Sequence, residues 1–172
     1  MVKPLILIAG LETGVITPEE PISCPDQEQP RGWPNCLIFR QSRVGHDGSW
    51  TNNARNALKG SCNVYFAHLA DRLDPRLLQE WLFRFGYGRE IPLVCPAAPD
   101  RDDVPRSFRQ AAGQIGSSRV SSSADIVSFD QIPPLEPWHK KLFGIGHGNF
   151  RVTPLQVANT FATLARGGRY RM

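Results

Sequence analysis

Hydrophobic residues recur at helical spacing in several separate stretches of the chain. Residues 3–12 predict a buried helix, which Gly14 can end in a left-handed conformation. Its apolar positions fall on one face: Leu5, Ile8, Ala9 and Leu11. From residue 16 to residue 50 the pattern is lost among proline, glycine and polar residues. Loops of this length usually have a function or a binding partner, so we expect one for this stretch.

Capping residues and glycines divide residues 51–86 into three predicted helices. A side chain that can accept a hydrogen bond from the first turn precedes each helix: Thr51 or Asn52 before residues 54–59, then Ser61, then Asp74 with Pro75. The predicted helices end at Gly60, at about Leu73 and at Gly86. The positions expected to face the core are apolar: Val64, Ala67, Leu69, Ala70 and Leu73 in the second helix, and Leu77, Leu78, Trp81, Leu82 and Phe85 in the third.

The second half of the chain has fewer helical signals. Residues 104–115 predict a short helix, and the serine-rich stretch 116–124 is expected to be mobile. Thr153 and Pro154 repeat the cap-and-proline start of a last helix, which Gly167 ends. Its face predicted to be buried is apolar: Leu155, Ala158, Phe161, Ala162 and Ala165. Because no stretch shows convincing strand alternation, the sequence predicts helices joined by long loops.

Composition and charge exclude several classes of protein. With 172 residues and 41% hydrophobic content, the chain can bury a core, and it is one domain or a piece of a larger one. The net charge of +4 comes mostly from arginines scattered along the chain, which argues against a nucleic-acid surface. No apolar run approaches the ~20 residues needed to span a bilayer. The apolar residues 1–10 are not followed by a small-residue cleavage site, so we expect no signal peptide.

The four cysteines leave two readings open. Cys24, Cys36, Cys62 and Cys95 include no CxxC pair, so neither a zinc ribbon nor a thioredoxin-like site is expected. Cys24 and Cys36 can form a disulfide if the compartment is oxidising. Alternatively, all four cysteines remain ordinary thiols, since the geometry that decides between these outcomes is not visible in the sequence.

Three stretches together resemble the transpeptidase domain of penicillin-binding proteins. Residues 58–70, LKGSCNVYFAHLA, resemble the second active-site motif of that family, a Ser-x-Asn at a helix start followed by an aromatic pair. Residues 144–159, GIGHGNFRVTPLQVAN, resemble the segment that precedes the third motif. Lys3 with Pro4 fits the lysine of the first motif, Ser-x-x-Lys, and residues 12–16, ETGVI, fit the end of the helix that follows it.

The resemblance implies an internal piece of that domain. The nucleophilic serine would stand one position before Met1, and the third motif, Lys-Thr/Ser-Gly, would follow Met172. The implied fold is mainly α: residues 1–172 as a partial transpeptidase domain, the helical subdomain of the penicillin-binding protein/serine β-lactamase-like α/β fold, with long loops and little strand. The chain by itself is then expected to be inactive.

The implied reaction is serine acyl transfer on D-alanyl-D-alanine stem peptides of peptidoglycan, the reaction that β-lactams block. By resemblance, Lys3 is the base, Ser61 relays a proton to the leaving nitrogen, and Asn63 holds Lys3 and the substrate amide. No cofactor, metal or nucleic acid is expected. The resemblance places the parent protein on the extracytoplasmic (periplasmic) face of the bacterial inner membrane, anchored by an N-terminal helix absent from this chain.

Each of these residues also has a purely structural interpretation. Ser61 is well placed as a helix N-cap, Asn63 as a solvated polar residue, and Lys3 as a solvent-facing cation. The glycines of residues 144–148 are better explained by backbone conformation than as a phosphate cradle, because their spacing is not GxGxxG. His147 is assigned no role.

Two other functions remain open beside the transpeptidase. One is a non-catalytic binding or scaffold module of the same fold, and the other is a β-lactam sensor or serine β-lactamase relative. The Thr-Pro-Leu-Gln-x-Ala phrase favours the transpeptidase, and the gene sequence on both sides of residues 1–172 discriminates among the three. Apolar positions that would pack on the rest of the domain are expected to be exposed and to cause self-association, measurable by light scattering: Leu5, Ile8, Phe161 and Leu164.

Overall fold

The computed structural model describes residues 2–91, 111–118 and 128–171, and within these ranges it is helical. The described α-helices are α1 (Lys3–Glu12), α2 (Leu37–Ser42), α3 (Ala54–Lys59), α4 (Asn63–Arg72), α5 (Pro75–Arg84), α6 (Lys140–Phe143) and α7 (Pro154–Ala165). Two 3-10 turns, Phe129–Gln131 and Pro137–His139, precede α6. In the same ranges, β-structure is limited to one antiparallel bridge between Gln114 and Arg151. The predicted mainly α architecture is therefore confirmed.

Helix α4 lies at the centre of the fold, packed against α1 and α6. Its buried residues are Val64, Tyr65, Phe66, Ala67, Leu69 and Ala70. Glycines on both neighbours allow the close approach, because a Cβ on Gly10 of α1 would lie 2.8 Å from Leu69 Cδ1, and one on Gly144 would lie 2.5 Å from Ala70 Cβ. Each large apolar side chain buried here stabilises the fold by roughly 1.5–3 kcal/mol.

The start signals read from the sequence are confirmed at α5 and α7 and shifted at α3 and α4. Asp74 caps α5, and Thr153 with Gln156 forms a capping box at the start of α7. Asn53 caps α3, so the expected cap at Thr51 or Asn52 is wrong by a residue or two. At α4 the cap is Cys62, whose sulfur accepts from the Tyr65 N–H at 3.4 Å.

The segment between α1 and α3 is more ordered than the predicted long loop. It contains α2, whose Phe39 is buried, and it is tied to the rest of the fold by hydrogen bonds. Asn52 Nδ2 donates to the Ile22 carbonyl at 2.8 Å, and both carboxylate oxygens of Asp47 lie 2.9 Å from the Cys24 N–H. These contacts replace the regular backbone pairing that a helix or strand would supply.

The face predicted to be buried on α7 is wrong. Leu155 and Phe161 are exposed, at 37% and 41% of their surface, whereas the residues that α7 buries are Gln156, Val157, Thr160 and Thr163. Gln156 Nε2 donates to the carbonyls of Arg89 and Ala112 at 2.6 and 2.8 Å, and Thr160 Oγ1 donates to Phe85 O at 2.8 Å. Loop carbonyls that have no helical partner require these buried donors, so a polar face turns inward.

Three further predictions, on residues 104–115, on residues 116–124 and on the exposure of four apolar side chains, can be compared with the structure only in part. Residues 111–115 are not helical, and Gln114 is paired to Arg151, so a helix ending at residue 115 is wrong; residues 104–110 lie outside the described ranges. Most of the serine-rich stretch 116–124 also lies outside them. Leu5 is buried rather than exposed, Ile8 and Leu164 are partly buried, and Phe161 is exposed as expected. Self-association stays a prediction.

No helix in the described part of the chain is both long enough and apolar enough to cross a membrane.

Replacing Gly144 by alanine should destabilise the protein. The backbone at Gly144 is helical, so alanine is conformationally acceptable, but its Cβ would lie 2.5 Å from both Ala70 Cβ and Phe66 O on α4. We expect a loss of about 1–3 kcal/mol and a melting temperature lowered by several degrees in circular dichroism at 222 nm. Gly48→Ala is the control, because no atom lies within 4 Å of its added Cβ. Equal melting temperatures for the two variants would contradict the packing at Gly144.

Candidate active site

Lys3, in the first turn of α1, meets the turn that leads into α4. Its Nζ lies 2.5 Å from the Ser61 carbonyl oxygen, 2.9 Å from Ser61 Oγ and 2.7 Å from Asn63 Oδ1. The Phe66 ring stands 5.7 Å from the same nitrogen. The structure therefore brings together the three residues that the sequence singles out, although 58 positions separate Lys3 from Ser61 along the chain.

Ser61 offers both its carbonyl oxygen and its hydroxyl oxygen to Lys3 from a left-handed backbone conformation. Its φ is +50°, in the left-handed region that costs a non-glycine residue about 1–2 kcal/mol. The turn is closed by hydrogen bonds from the Ser61 N–H to Leu58 O at 3.2 Å and from the Cys62 N–H to Ala57 O at 2.9 Å. Ser61 is therefore a turn residue that precedes the helix cap, and the expected N-cap role passes to Cys62.

Hydrogen bonds at both the oxygen and the nitrogen of the Asn63 amide fix the orientation of its side chain. Its Oδ1 accepts from Lys3 at 2.7 Å, and its Nδ2 donates to the Asn35 carbonyl at 3.3 Å. Asn63 is thus not a freely solvated residue at the helix start. The amide is held with its oxygen toward the lysine, in the orientation that a positioning role requires.

The surroundings of Lys3 suit proton transfer. A lysine ammonium carries three N–H donors, and here three oxygen acceptors lie within hydrogen-bond distance. Burial lowers the pKa of Lys3 from its ordinary value of 10.5, because a desolvated ammonium loses hydration energy. After losing a proton, the amine would have a lone pair that can accept from the Ser61 hydroxyl. The pair can therefore pass a proton in either direction.

The glycine-rich stretch approaches the same region from another side. Gly146 and Gly148 have φ values of +73° and +72°, which confirms their interpretation as residues needed for backbone conformation. The nearest atom to a Cβ built on Gly146 is Val2 Cγ1, at 3.4 Å, next to Lys3 in the chain. Val2, Gly146 and Phe150 also line an open cavity of about 270 Å³. The start of α1 thus borders this cavity.

A cluster of metal-ligating side chains lies beside the turn and was not anticipated from the sequence. Cys24, Cys36, His46 and Cys62 are all buried, and one donor atom from each lies within 4.8 Å of the others. The described cysteines are free thiols, so of the two outcomes left open for Cys24 and Cys36 this structure shows thiols rather than a disulfide, and Cys95 lies outside the described residues. Intervals of 11, 9 and 15 residues separate the four in sequence, which matches no short zinc motif. The sequence signal that could have revealed this cluster is the occurrence of two cysteines and one histidine within the predicted loop of residues 16–50.

The three sulfurs interact with one another. Hydrogen bonds from Cys24 and Cys62 lower the pKa of the Cys36 thiol. The same Cys24–Cys36 hydrogen bond raises the pKa of the Cys24 thiol. The contacts among the three thiols thus shift the pKa values of Cys24 and Cys36 in opposite directions.

Comparisons with known proteins agree with this arrangement. A family model described as the penicillin binding protein transpeptidase domain matches residues 1–172. Among solved structures, the chain is similar to PBP2 of Pseudomonas aeruginosa in complex with WCK 5153, with a TM-score of 0.67 and 26% sequence identity over 98% of this chain and 33% of that chain. The chain thus spans about a third of the length of that relative. A search of curated proteins finds no match. Because the family model matches the whole chain, residues 1–172 belong to the penicillin-binding protein transpeptidase domain family.

Proposed function

We propose that residues 1–172 form part of a serine-type DD-transpeptidase that cross-links peptidoglycan stem peptides. The observation that carries this proposal is the position of Lys3 Nζ, within 2.9 Å of Ser61 Oγ and 2.7 Å of Asn63 Oδ1. A scaffold module has no need of a half-buried lysine surrounded by three oxygen acceptors. Family membership supports the same reaction class.

In the proposed mechanism, a serine one helical turn before Lys3 attacks the penultimate D-alanine carbonyl. Its proton passes to the neutral Lys3 amine, which acts as general base. As the carbon–nitrogen bond breaks, Ser61 relays that proton from Lys3 to the nitrogen of the departing D-alanine. An amine from a neighbouring stem then attacks the acyl-enzyme ester, and its proton passes through the neutral Lys3 amine to the serine oxygen as the ester bond breaks.

Asn63 has a positioning role in this scheme. Its oxygen holds Lys3 at the start of α4, and by resemblance Asn63 also hydrogen-bonds the amide side chain of the substrate. A fixed hydrogen bond of this kind keeps the base in a reactive geometry before substrate arrives. β-Lactams, which present a similar amide to the same serine, are proposed as ligands of the parent protein.

The proposed location follows from the proposed substrate. Peptidoglycan stem peptides are cross-linked outside the cytoplasm, so we place the domain on the extracytoplasmic face of the inner membrane, anchored through a segment outside residues 1–172. Cleavage of the domain by protease added to spheroplasts supports this location, and full protection contradicts it.

Substituting Ser61 or Asn63 should slow acylation in the full-length protein that contains this chain. We expect Ser61→Ala to reduce labelling by a fluorescent penicillin by about 10²–10⁴-fold, the range for a lost proton-transfer group. Asn63→Ala should reduce it by about 10²-fold, because the base is then no longer held in its reactive geometry. Ser42→Ala is the matched control, because Ser42 is exposed at the end of α2 and bonds only its own helix, at Ile38 O. Control-like labelling rates in both variants would rule out the proposed roles.

Residues 1–172 by themselves should remain unlabelled in the same assay. By resemblance, the nucleophile and the third motif lie outside these residues, so no acyl-enzyme can form. A labelled band from this polypeptide alone would show that the serine has been assigned to the wrong place.

The acylation rate should rise with pH over a range set by Lys3. The neutral amine is the base, so the rate increases as Lys3 loses its proton, and burial lowers its pKa below 10.5. The rising limb is therefore expected at lower pH than for an ordinary lysine, and Lys3→Arg should remove it, since arginine stays protonated. The measurement is the rate of fluorescent-penicillin labelling against pH. A midpoint at or above 10.5 contradicts the assignment of Lys3 as base.

A further inference from the structure

We propose that Trp33 is a positioning residue for the transpeptidase reaction. Its indole anchors residues 29–35, called the 29–35 loop below, and this loop fixes the amide of Asn63. The inference rests on the proposed function, because it concerns the rate of acylation. It extends that function to a side chain outside the three stretches that resemble the family motifs.

The indole of Trp33 contacts two helices at once. It stacks on the ring of His68 in α4, with ring centroids 4.1 Å apart and planes inclined by 19°. Lys141 Nζ, in α6, lies 4.7 Å from the centroid of the Trp33 ring. Ring stacking and the attraction between a cation and an indole face both stabilise such an arrangement. Trp33 therefore attaches the 29–35 loop to α4 and to α6.

The charge state of His68 suits the stack. Burial lowers the pKa of His68 from its ordinary value of 6.5, against the opposing effect of Asp71 and with further lowering by Arg72 and Lys141. The imidazole is therefore neutral at pH 7. A neutral ring can stack on the indole without placing a second cation beside Lys141.

Hydrogen bonds within the 29–35 loop make it a compact unit. The Gln29 N–H donates to Asn35 Oδ1 at 2.8 Å, which joins the two ends of the loop. Between them, the Trp33 N–H donates to Pro30 O at 2.9 Å, and Gly32 has a φ of +84°, which glycine adopts without strain. Because the loop is closed on itself, the position of the indole sets the position of the Asn35 backbone.

The loop is attached to α4 at two points, of which one depends on the other. Trp33 contacts His68, and the Asn35 carbonyl accepts from Asn63 Nδ2 at 3.3 Å. The five residues from Asn63 to His68 span about 7.5 Å of helix, and two extended residues of loop span about 7 Å, so the loop matches the helix in length. A hydrogen bond of 3.3 Å is longer than the usual range of about 2.7–3.2 Å. The stack is thus needed to keep its acceptor in place.

The position of Asn35 affects the base through Asn63. While the Asn35 carbonyl holds Nδ2, the amide oxygen of Asn63 points at Lys3 Nζ, 2.7 Å away. If the carbonyl moves, the amide is free to rotate, and Lys3 loses one of its three oxygen acceptors. A misplacement of about 1 Å at a reacting group can cost about 10²-fold in rate. Trp33 therefore influences acylation without touching Lys3 or the substrate.

The test is the rate of fluorescent-penicillin acylation of the full-length protein, measured against penicillin concentration. We expect Trp33→Leu to lower the limiting rate at saturation by about 10–10²-fold. The penicillin concentration at half saturation and the final amount of labelled protein should stay nearly unchanged. Trp33→Phe keeps an aromatic ring for the stack and should retain most of the rate.

Trp81→Leu is the matched control. Like Trp33, Trp81 is partly buried, stacks on a ring, here Phe85, and has a cation beside it, Arg84, whose guanidinium carbon lies 5.4 Å from its ring. It borders the end of α1 that lies away from Lys3. Both variants should melt at a lower temperature, and only Trp33→Leu should acylate slowly. Equal acylation rates in the two variants would overturn the proposal.

A double-mutant cycle shows whether Trp33 acts through Asn63. In the Asn63→Ala background, Trp33→Leu should cause almost no further loss of rate, because the contact it supports is already gone. Rate losses that multiply in the double variant would overturn the proposal. If Trp33→Leu fails to fold, Lys141→Met removes only the cation beside the indole and replaces it in the same cycle, with a smaller loss expected.

Hydrogen–deuterium exchange separates this inference from the proposed function. The amides of the 29–35 loop should exchange faster in Trp33→Leu than in the unmutated full-length protein, and those of α5 should not. Unchanged exchange in the loop would overturn the proposal. This readout involves no catalysis, so an unmutated protein that penicillin does not label would refute the transpeptidase function and leave the anchoring by Trp33 to be decided by exchange.

Discussion

The left-handed conformation of Ser61 is the constraint on which the rest of the site depends. A φ of +50° in a serine costs about 1–2 kcal/mol, and it is stabilised by the hydrogen bond from the Cys62 N–H to Ala57 O and by the burial of Cys62. This turn directs the carbonyl and hydroxyl of Ser61 toward Lys3 while the next side chain, Cys62, joins the sulfur cluster. The Lys3 contacts and the sulfur cluster therefore meet at one three-residue turn.

Competing electrostatic effects set the protonation of Lys3. Burial disfavours the ammonium, while nearby sulfur charge and three oxygen acceptors favour it. Each unit of pKa shift corresponds to about 1.4 kcal/mol between the two protonation states. Because the pKa of Lys3 is lowered, desolvation outweighs the attraction to the cysteines. A lysine in this balance can exchange a proton with a neighbouring hydroxyl, which is the property that the proposed reaction uses.

Local signals predicted the helices well because they act within one turn of the chain. Residues 3–12 form a helix with the expected bounds, and Asp74 and Thr153 cap α5 and α7 through their own side chains. The buried face of α7 could not be read in the same way. Its orientation depends on the carbonyls of Arg89 and Ala112, which only the folded chain brings to Gln156. Periodicity of apolar residues alone therefore selected the wrong side.

The sequence by itself determined the helical class, the family resemblance and the three candidate residues Lys3, Ser61 and Asn63, since each stands in a short recognisable motif. Only the tertiary structure decided that these residues meet, because their approach requires α1 to pack on α4. It also decided that two cysteines and a histidine of an irregular segment gather around Cys62. Donor atoms contributed at long and uneven intervals leave no periodic trace in a sequence, so their convergence is a property of the fold.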